Sequence, residues 1–399
     1  MSVTAARGFT AAGVAAGLKS AAADGTLPRD VAVVRNEGPD KHAAAVFTTN
    51  RVAAAPVLWS QQAIADGRAD VVVLNSGGAN ACTGAPGFAD THQTAEVVAE
   101  KLQAGGADVS AGDVLVCSTG LIGERLDMPA LLSGIDTAVA QLDPQETAGH
   151  QAAQAIMTTD SVMKVSTADG AGFTVGGMAK GAGMLAPGMA TMLSVVTTDA
   201  VIPQPDLDAA LREAVRISFN RADSDGCMST NDTVIAMASG AHPDADPSGV
   251  DLEEFQAALN QVCQDLATQL IADAEGAHHE IAISTINAAT EEQAETAGRS
   301  VARSNLFKTA IFGQDPNWGR ILSAVGTTDV DFDPTTIDVA VNGVWICQAG
   351  GIGDDRSLVD LSGRHVKVVI DLKAGDREAT ILTNDLTHDY VHENSAYST

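Results

Sequence analysis

Positive charge is scarce in this sequence: 23 Lys and Arg stand against 51 Asp and Glu, a formal net charge of −28 over 399 residues. A broad basic face of the kind that grips nucleic-acid phosphates is therefore excluded. Cysteine is scarce as well. Cys82, Cys117, Cys227, Cys263 and Cys347 are widely spaced, odd in number and form no C-x-x-C pair. They read as small buried hydrophobes rather than as a disulfide framework or a zinc site. Long apolar runs are missing too. Residues 181–198 carry no charge, but Pro187, three Gly and three Thr interrupt them, and that backbone would not hold together in lipid. Residues 8–18, preceded by Arg7, are mostly Ala and Gly and make a poor secretory core. The chain reads as cytoplasmic, with no membrane or nucleic-acid partner.

What is present is enough apolar content, 45% of the residues, to bury a sizeable core. Disorder needs low hydrophobicity along with high charge, so it is excluded. The acidity speaks to solubility rather than to chemistry. Short β-branched segments recur at 31–34, 71–74, 114–116 and 281–286, with Ala-rich stretches of helical spacing between them. The clearest helix is 252–274, where Phe255, Leu259, Val262, Cys263, Leu266 and Leu270 share a face; 207–217 is a second, entered through Pro205 and Asp206. Near the end, Val339 and Val341 alternate inward, Asn342-Gly343 suits a tight hairpin turn, and Val344 and Ile346 resume. Val366, Val368, Ile370 and Leu372 line one face of a later strand. The mixture predicts a layered α/β or α+β fold.

Several signatures of chemistry fail. There is no Gly-Lys dipeptide and hence no Walker A loop, no G-x-G-x-x-G, no H-E-x-x-H and no G-x-S-x-G. His278 and His279 are adjacent, so on a strand they point to opposite faces and cannot share a metal. Asp223-Ser224-Asp225-Gly226 starts like a calcium loop, but no Glu follows at the required spacing. No metal site is expected.

The informative stretch is 180–199, where Lys180 leads through Gly and Pro residues to Ala190-Thr191 and an apolar run. Gly and Pro permit a sharp turn before Thr191, and a strand starting at Thr191 would hold that residue at the end of a sheet. A strained peptide bond before a threonine can be attacked by the threonine hydroxyl. The resulting ester hydrolyses to a new chain whose α-amine serves as base for its own hydroxyl. The reference pKa of such an amine, about 7.7–8.0, lies close to the operating pH that general-base work favours. From the residues alone this chemistry and an ordinary core strand both remain open.

The segment is similar to the autocleavage motif of the ornithine acetyltransferase (glutamate N-acetyltransferase) family of arginine biosynthesis. The likeness spans essentially the whole chain. It includes Val-Phe-Thr-Thr-Asn at 46–50, Asn-Ser-Gly-Gly-Ala-Asn-Ala-Cys-Thr-Gly at 75–84 and Cys-Ser-Thr-Gly-Leu-Ile-Gly at 117–123. It continues with Ile-Met-Thr-Thr-Asp at 156–160, Ser-Thr-Asn-Asp-Thr at 229–233, Lys-Thr-Ala-Ile-Phe-Gly at 308–313, Asn-Trp-Gly-Arg at 317–320 and Asn-Ser-Ala-Tyr-Ser-Thr at 394–399.

The resemblance implies an α+β layered sandwich shared with self-processing aminopeptidases. It implies cleavage between Ala190 and Thr191, giving an α chain of 1–190 and a β chain of 191–399 that share one fold and pair as an α2β2 heterotetramer. Thr191 matches the family's nucleophile, which takes the acetyl group of N2-acetylornithine and passes it to glutamate. Thr119 and Gly120 match its oxyanion hole. Thr158, Lys180, Thr191, Glu275, Asn394 and Thr399 match the positions that grip the amino-acid substrate; Lys180, Asn394 and Thr399 suit a carboxylate and Glu275 an ammonium group. No cofactor is implied. Family members differ in accepting acetyl-CoA, which therefore stands as a candidate second donor substrate.

The chain departs from the family at Gly188, where a polar residue such as Asn is usual, and at Cys227-Met228, His278, Phe307 and Pro316. Two other functions compete with the transferase: a self-processing amidase or aminopeptidase of similar architecture, and a non-enzymatic amino-acid-binding scaffold.

Overall fold

In the computed structural model the described residues are 2–22, 24–186, 192–244, 246 and 249–396. The chain runs through β1 (Phe9–Val14), β2 (Val31–Asn36), β3 (His42–Phe47), α1 (Ala55–Ala63), β4 (Val71–Asn75), α2 (Gly84–Ala104), β5 (Val114–Ser118), α3 (Met128–Ala140) and α4 (Glu146–Ala155). It continues with β6 (Lys164–Gly170), β7 (Phe173–Lys180), β8 (Leu193–Thr198), α5 (Gln204–Ile217), β9 (Thr233–Ala238) and α6 (Leu252–Ala272). The last part holds β10 (Glu280–Ala288), α7 (Glu291–Ala302), α8 (Asn305–Phe312), α9 (Trp318–Val325), β11 (Asp338–Val341), β12 (Val344–Gln348), β13 (Gly351–Ile352), β14 (His365–Asp371), β15 (Arg377–Asn384) and α10 (His388–Ala396).

The strands form three sheets, ordered β1-β2-β4-β5, β3-β9-β8-β7-β6 and β13-β12-β11-β14-β10-β15. The first two stack face to face. Alternate side chains of the first sheet, such as Val72, Leu74 and Leu115, meet Met178, Val195 and Ile235 of the second. Its opposite face, with Val71, Val73 and Val114, is covered by Val98 and Leu102 of α2 and Ile135 of α3. The far face of the second sheet packs Val175, Val196 and Val234 against α5 and α6. The order of layers is thus helix, sheet, sheet, helix. Both faces are dry along β1, β2, β4, β5, β8 and β9, which is why segments such as 31–34, 71–74 and 114–116 read in sequence as apolar runs rather than as alternation. The third sheet builds its own core with α7, α8 and α9 through Ile283, Val301, Phe307, Ile321 and Val368.

The expected elements appear with small shifts. The helix expected over 252–274 ends at Ala272, and α5 begins at Gln204, with Pro205 and Asp206 in its first turn. Asn342 and Gly343 both take positive φ, 47° and 85°, as a tight hairpin between β11 and β12 requires. The strand expected to start at Thr191 begins at Leu193 instead, because the Met192 N–H donates to the Asp232 carboxylate at 3.0 Å rather than to a neighbouring strand. The cysteines are all free. Cys117, Cys263 and Cys347 are buried as expected, but Cys82 and Cys227 are exposed, each on a loop rich in polar and glycine residues. No described helix is long and apolar enough to cross a membrane.

Helix α4 lies against β1 so closely that a Cβ on Gly13 would stand 2.0 Å from the Gln151 carbonyl oxygen. Gly13→Ala is expected to destabilise the fold by about 1–3 kcal/mol through overpacking. A urea-denaturation midpoint equal to that of the parent would show that α4 can move off the sheet at no cost.

Candidate active site

The stacked sheets bring several strand ends to one place. Lys180 closes β7 and pairs with Leu193, the first residue of β8, which pairs in turn with Thr233 at the start of β9. β5 of the other sheet ends nearby at Ser118, followed by Thr119 and Gly120. Two side chains tie the sheets together here. The Lys180 ammonium donates to the Thr119 hydroxyl oxygen at 3.1 Å. The Asn231 amide donates to the carbonyls of Ala79 at 2.6 Å and Ser118 at 2.8 Å.

Between these ties lies a cavity of about 100 Å³ whose walls include Thr119, Gly120, Thr158, Lys180, Glu275 and Asn394. Its walls are drawn from the loops after β4 and β5, from the stretch before β6, from the end of β7, and from residues following α6 and inside α10. Segments on both sides of position 190 contribute.

Thr119 and Gly120 present two donors to this space. The Thr119 oxygen already accepts from Lys180, an ammonium that can only donate, so the threonine proton must point elsewhere. It has no acceptor among the described residues, and neither does the Gly120 N–H. Gly120 sits at φ 126°, and a Cβ there would lie 2.8 Å from the Gly78 nitrogen, so this turn is built for glycine. Such a turn exposes a backbone donor beside a side-chain hydroxyl, the arrangement that stabilises developing negative charge on oxygen.

The charged groups around the cavity are balanced against burial. Lys180 is out of water, and burial pushes its ammonium below the usual lysine range against the opposing pull of Asp160. Burial would raise the Asp160 carboxyl, but Lys180, Lys164 and the Gly181 N–H outweigh it and hold it below the usual carboxylate range. Lys164, also fully buried, bridges Asp160 and Asp273 at 2.6 Å each. Asp160 receives the Thr158 N–H at 2.9 Å, which sets that residue against the cavity wall. Asp232, behind the Met192 N–H, has one carboxylate oxygen without a hydrogen-bond partner among the described residues, and burial raises its carboxyl well above the usual range. Glu275 faces Gly183, where a Cβ would come within 2.5 Å of its carboxylate.

The sequence matches the ArgJ family over residues 10–399. The chain belongs to the ArgJ family. With that membership comes the enzyme class, an acetyltransferase of arginine biosynthesis. The arginine biosynthesis bifunctional protein ArgJ of Thermobifida fusca is 59% identical over 401 residues, with 100% of both chains covered. The protein of the same name in Mycobacterium tuberculosis is 52% identical over 397 residues, covering 99% of this chain and 96% of that one. Among solved structures, ornithine acetyltransferase of Mycobacterium tuberculosis complexed with ornithine is 55% identical, covers 48% of this chain and 96% of that chain, and has a TM-score of 0.45.

Of the residues singled out in sequence for this ArgJ-family chain, Thr119, Gly120, Thr158, Lys180, Glu275 and Asn394 line the one cavity. Ala190, Thr191 and Thr399, with Gly188, lie outside the described residues. Lys180, matched in sequence to a substrate carboxylate, lines the cavity and gives one of its three ammonium hydrogens to Thr119. Asn394 stands within α10, and its amide donates to the Tyr390 carbonyl at 3.0 Å. His278 and His279 serve structure, the first bonded to Asp389 and the second to Asp385, both at 2.7 Å. Sequence reasoning gave no role to Asp160, Lys164, Asn231 or Asp232. Only their burial gives them away, because an ion taken out of water is costly unless it is matched.

Removing Lys164 leaves two buried carboxylates without their shared cation. Lys164→Met is expected to lower stability by about 3–5 kcal/mol. Thermal melts that coincide with the parent would show that Asp160 and Asp273 find other partners.

Proposed function

We propose that the enzyme transfers the acetyl group of N2-acetyl-L-ornithine to L-glutamate by a ping-pong cycle on Thr191. The convergence of Thr119, Gly120, Thr158, Lys180, Glu275 and Asn394 on one cavity, beside the chain that leads into and out of position 191, carries this reading. Cleavage before Thr191 frees an α-amine. That amine accepts the hydroxyl proton as the threonine oxygen bonds to the acetyl carbonyl carbon. The tetrahedral oxyanion is met by the Thr119 hydroxyl and the Gly120 N–H, and collapse breaks the C–N bond. The departing ornithine amine takes the proton back from the α-ammonium. Glutamate's amine then attacks the acetyl ester, and the same steps in reverse regenerate the threonine.

Lys180 acts here chiefly through Thr119. By occupying the hydroxyl's acceptor side it aims the donor at the reacting oxygen, and its charge in a dry site adds to the field that favours an anion. Glu275 suits the ammonium end of ornithine. The chemistry needs no cofactor; acetyl-CoA fits the scheme as a second donor loading the same threonine. The reading also carries an α chain of 1–190 and a β chain of 191–399, an α2β2 assembly and a cytoplasmic setting.

Thr191→Ala is expected to abolish both chain cleavage, seen as a single mass at the full 40.7 kDa, and acetyl transfer. Appreciable transfer by that variant would remove Thr191 as nucleophile. Hydrolysis of the acetyl donor at a rate indifferent to glutamate would make the protein an amidase instead. Thr119→Ala is expected to lower kcat by about 10²–10³ as a lost oxyanion donor; steady-state rates close to those of the parent would leave Gly120 and other groups with that task.

A further inference from the structure

Glu275 lines a second cavity as well, of about 240 Å³, whose walls also hold Asp225, Arg303, Asn305, Lys308 and Tyr390. The two cavities meet at that carboxylate. Lys308, on α8, is buried, and its ammonium donates to the Ser224 carbonyl and, at 3.4 Å, to the Thr383 hydroxyl. No described carboxylate stands within ion-pair distance of it. The acids around it are committed elsewhere. Asp223 pairs with Arg303 at 2.8 Å. Asp385 holds His279 at 2.7 Å, and Asp225 accepts the Met184 N–H at 2.7 Å. Arg303 is spoken for by Asp223, so Lys308 is the cation of this cavity left without an anion in contact.

Burial lowers the Lys308 ammonium to about 8 against the pull of Asp225, Asp223 and Asp385. A buried cation held by neutral oxygens gains most from a carboxylate that enters with it. The proposed reaction supplies one. Its two substrates share an amino-acid core but end in opposite charges, an ammonium on ornithine and a carboxylate on glutamate. One compartment must admit both, and a wall carrying Glu275 with a cation beyond it can do so.

We propose that the second cavity receives the side-chain end of the acceptor, with Lys308 binding the γ-carboxylate of glutamate. This inference rests on the proposed transferase function. It makes Lys308 a determinant of acceptor choice, distinct from the groups that surround the reacting acetyl.

The test compares glutamate with 2-aminopentanoate, which has a methyl group in place of the γ-carboxylate, as acceptors for the acetyl group of N2-acetylornithine. The parent enzyme is expected to favour glutamate strongly. In Lys308→Met the ratio of kcat/KM for glutamate to that for 2-aminopentanoate is expected to fall by about 10-fold or more, mainly through the KM for glutamate. Asn305→Asp gives an independent measure without touching the core: it sets a negative charge on the cavity rim at the first residue of α8, where an acid suits the helix. It is expected to weaken glutamate by about 3- to 10-fold and to spare 2-aminopentanoate. Should Lys308→Met fail to fold, Asn305→Asp decides. A folded variant with the parent's acceptor ratio overturns the assignment. A parent enzyme that transfers to neither acid removes the transferase reading itself, and this inference with it.

Discussion

A lysine ammonium taken out of water at the seam of two sheets governs much of this structure. An isolated buried charge is far too costly to keep. Lys180 is kept because Asp160 lies beside it and because the Thr119 oxygen accepts its proton from the opposite sheet. Asp160 in turn needs Lys164, and Lys164 needs Asp273. The result is a chain of alternating charges reaching from the cavity floor to the end of α6. Its two acids each fix a piece of backbone: Asp160 holds the N–H groups of Thr158 and Gly181, and Asp273 holds that of Ser161. The cavity wall is therefore set by electrostatic necessity more than by apolar packing, which supplies the layers behind it.

Much of the layered fold was legible because its strands are short, β-branched and bounded by Gly and Asn. The Asn342-Gly343 hairpin and the apolar face of α6 followed directly from spacing. Less visible was how the strands divide among three sheets. A strand buried on both faces has no alternation to show which side meets a partner and which a helix, so sequence periodicity carries no register between β3 and β9 or between β4 and β5.

The site was legible in a different way. Thr119, Gly120, Lys180 and Glu275 were reached by likeness to a family, and the structure supplies what likeness could not, namely who touches whom. That Lys180 touches Thr119 is a consequence of sheet stacking, a relation between residues 61 positions apart in sequence. Asp160, Lys164 and Asp232 were missed because a single acid or lysine in a polar motif looks like surface until burial is known. Lys308 was missed for the same reason; its motif was noticed, but nothing in Lys-Thr-Ala-Ile-Phe-Gly says that the lysine faces inward.

The pairing of β7 with β8 has one more consequence. These strands flank position 190 in sequence and lie side by side in the second sheet, with β8 bonded also to β9. If the chain is cut between them, the two pieces remain interleaved within a single hydrogen-bonded sheet. Folding would then have been completed as one molecule, in a single unimolecular event. Reassembly after full denaturation would instead require two different polypeptides to find each other, at a rate set by concentration. The mature enzyme would thus be a structure its own fragments reach far less readily than the intact chain did. Its persistence in use would depend on the height of the unfolding barrier rather than on an equilibrium it can revisit.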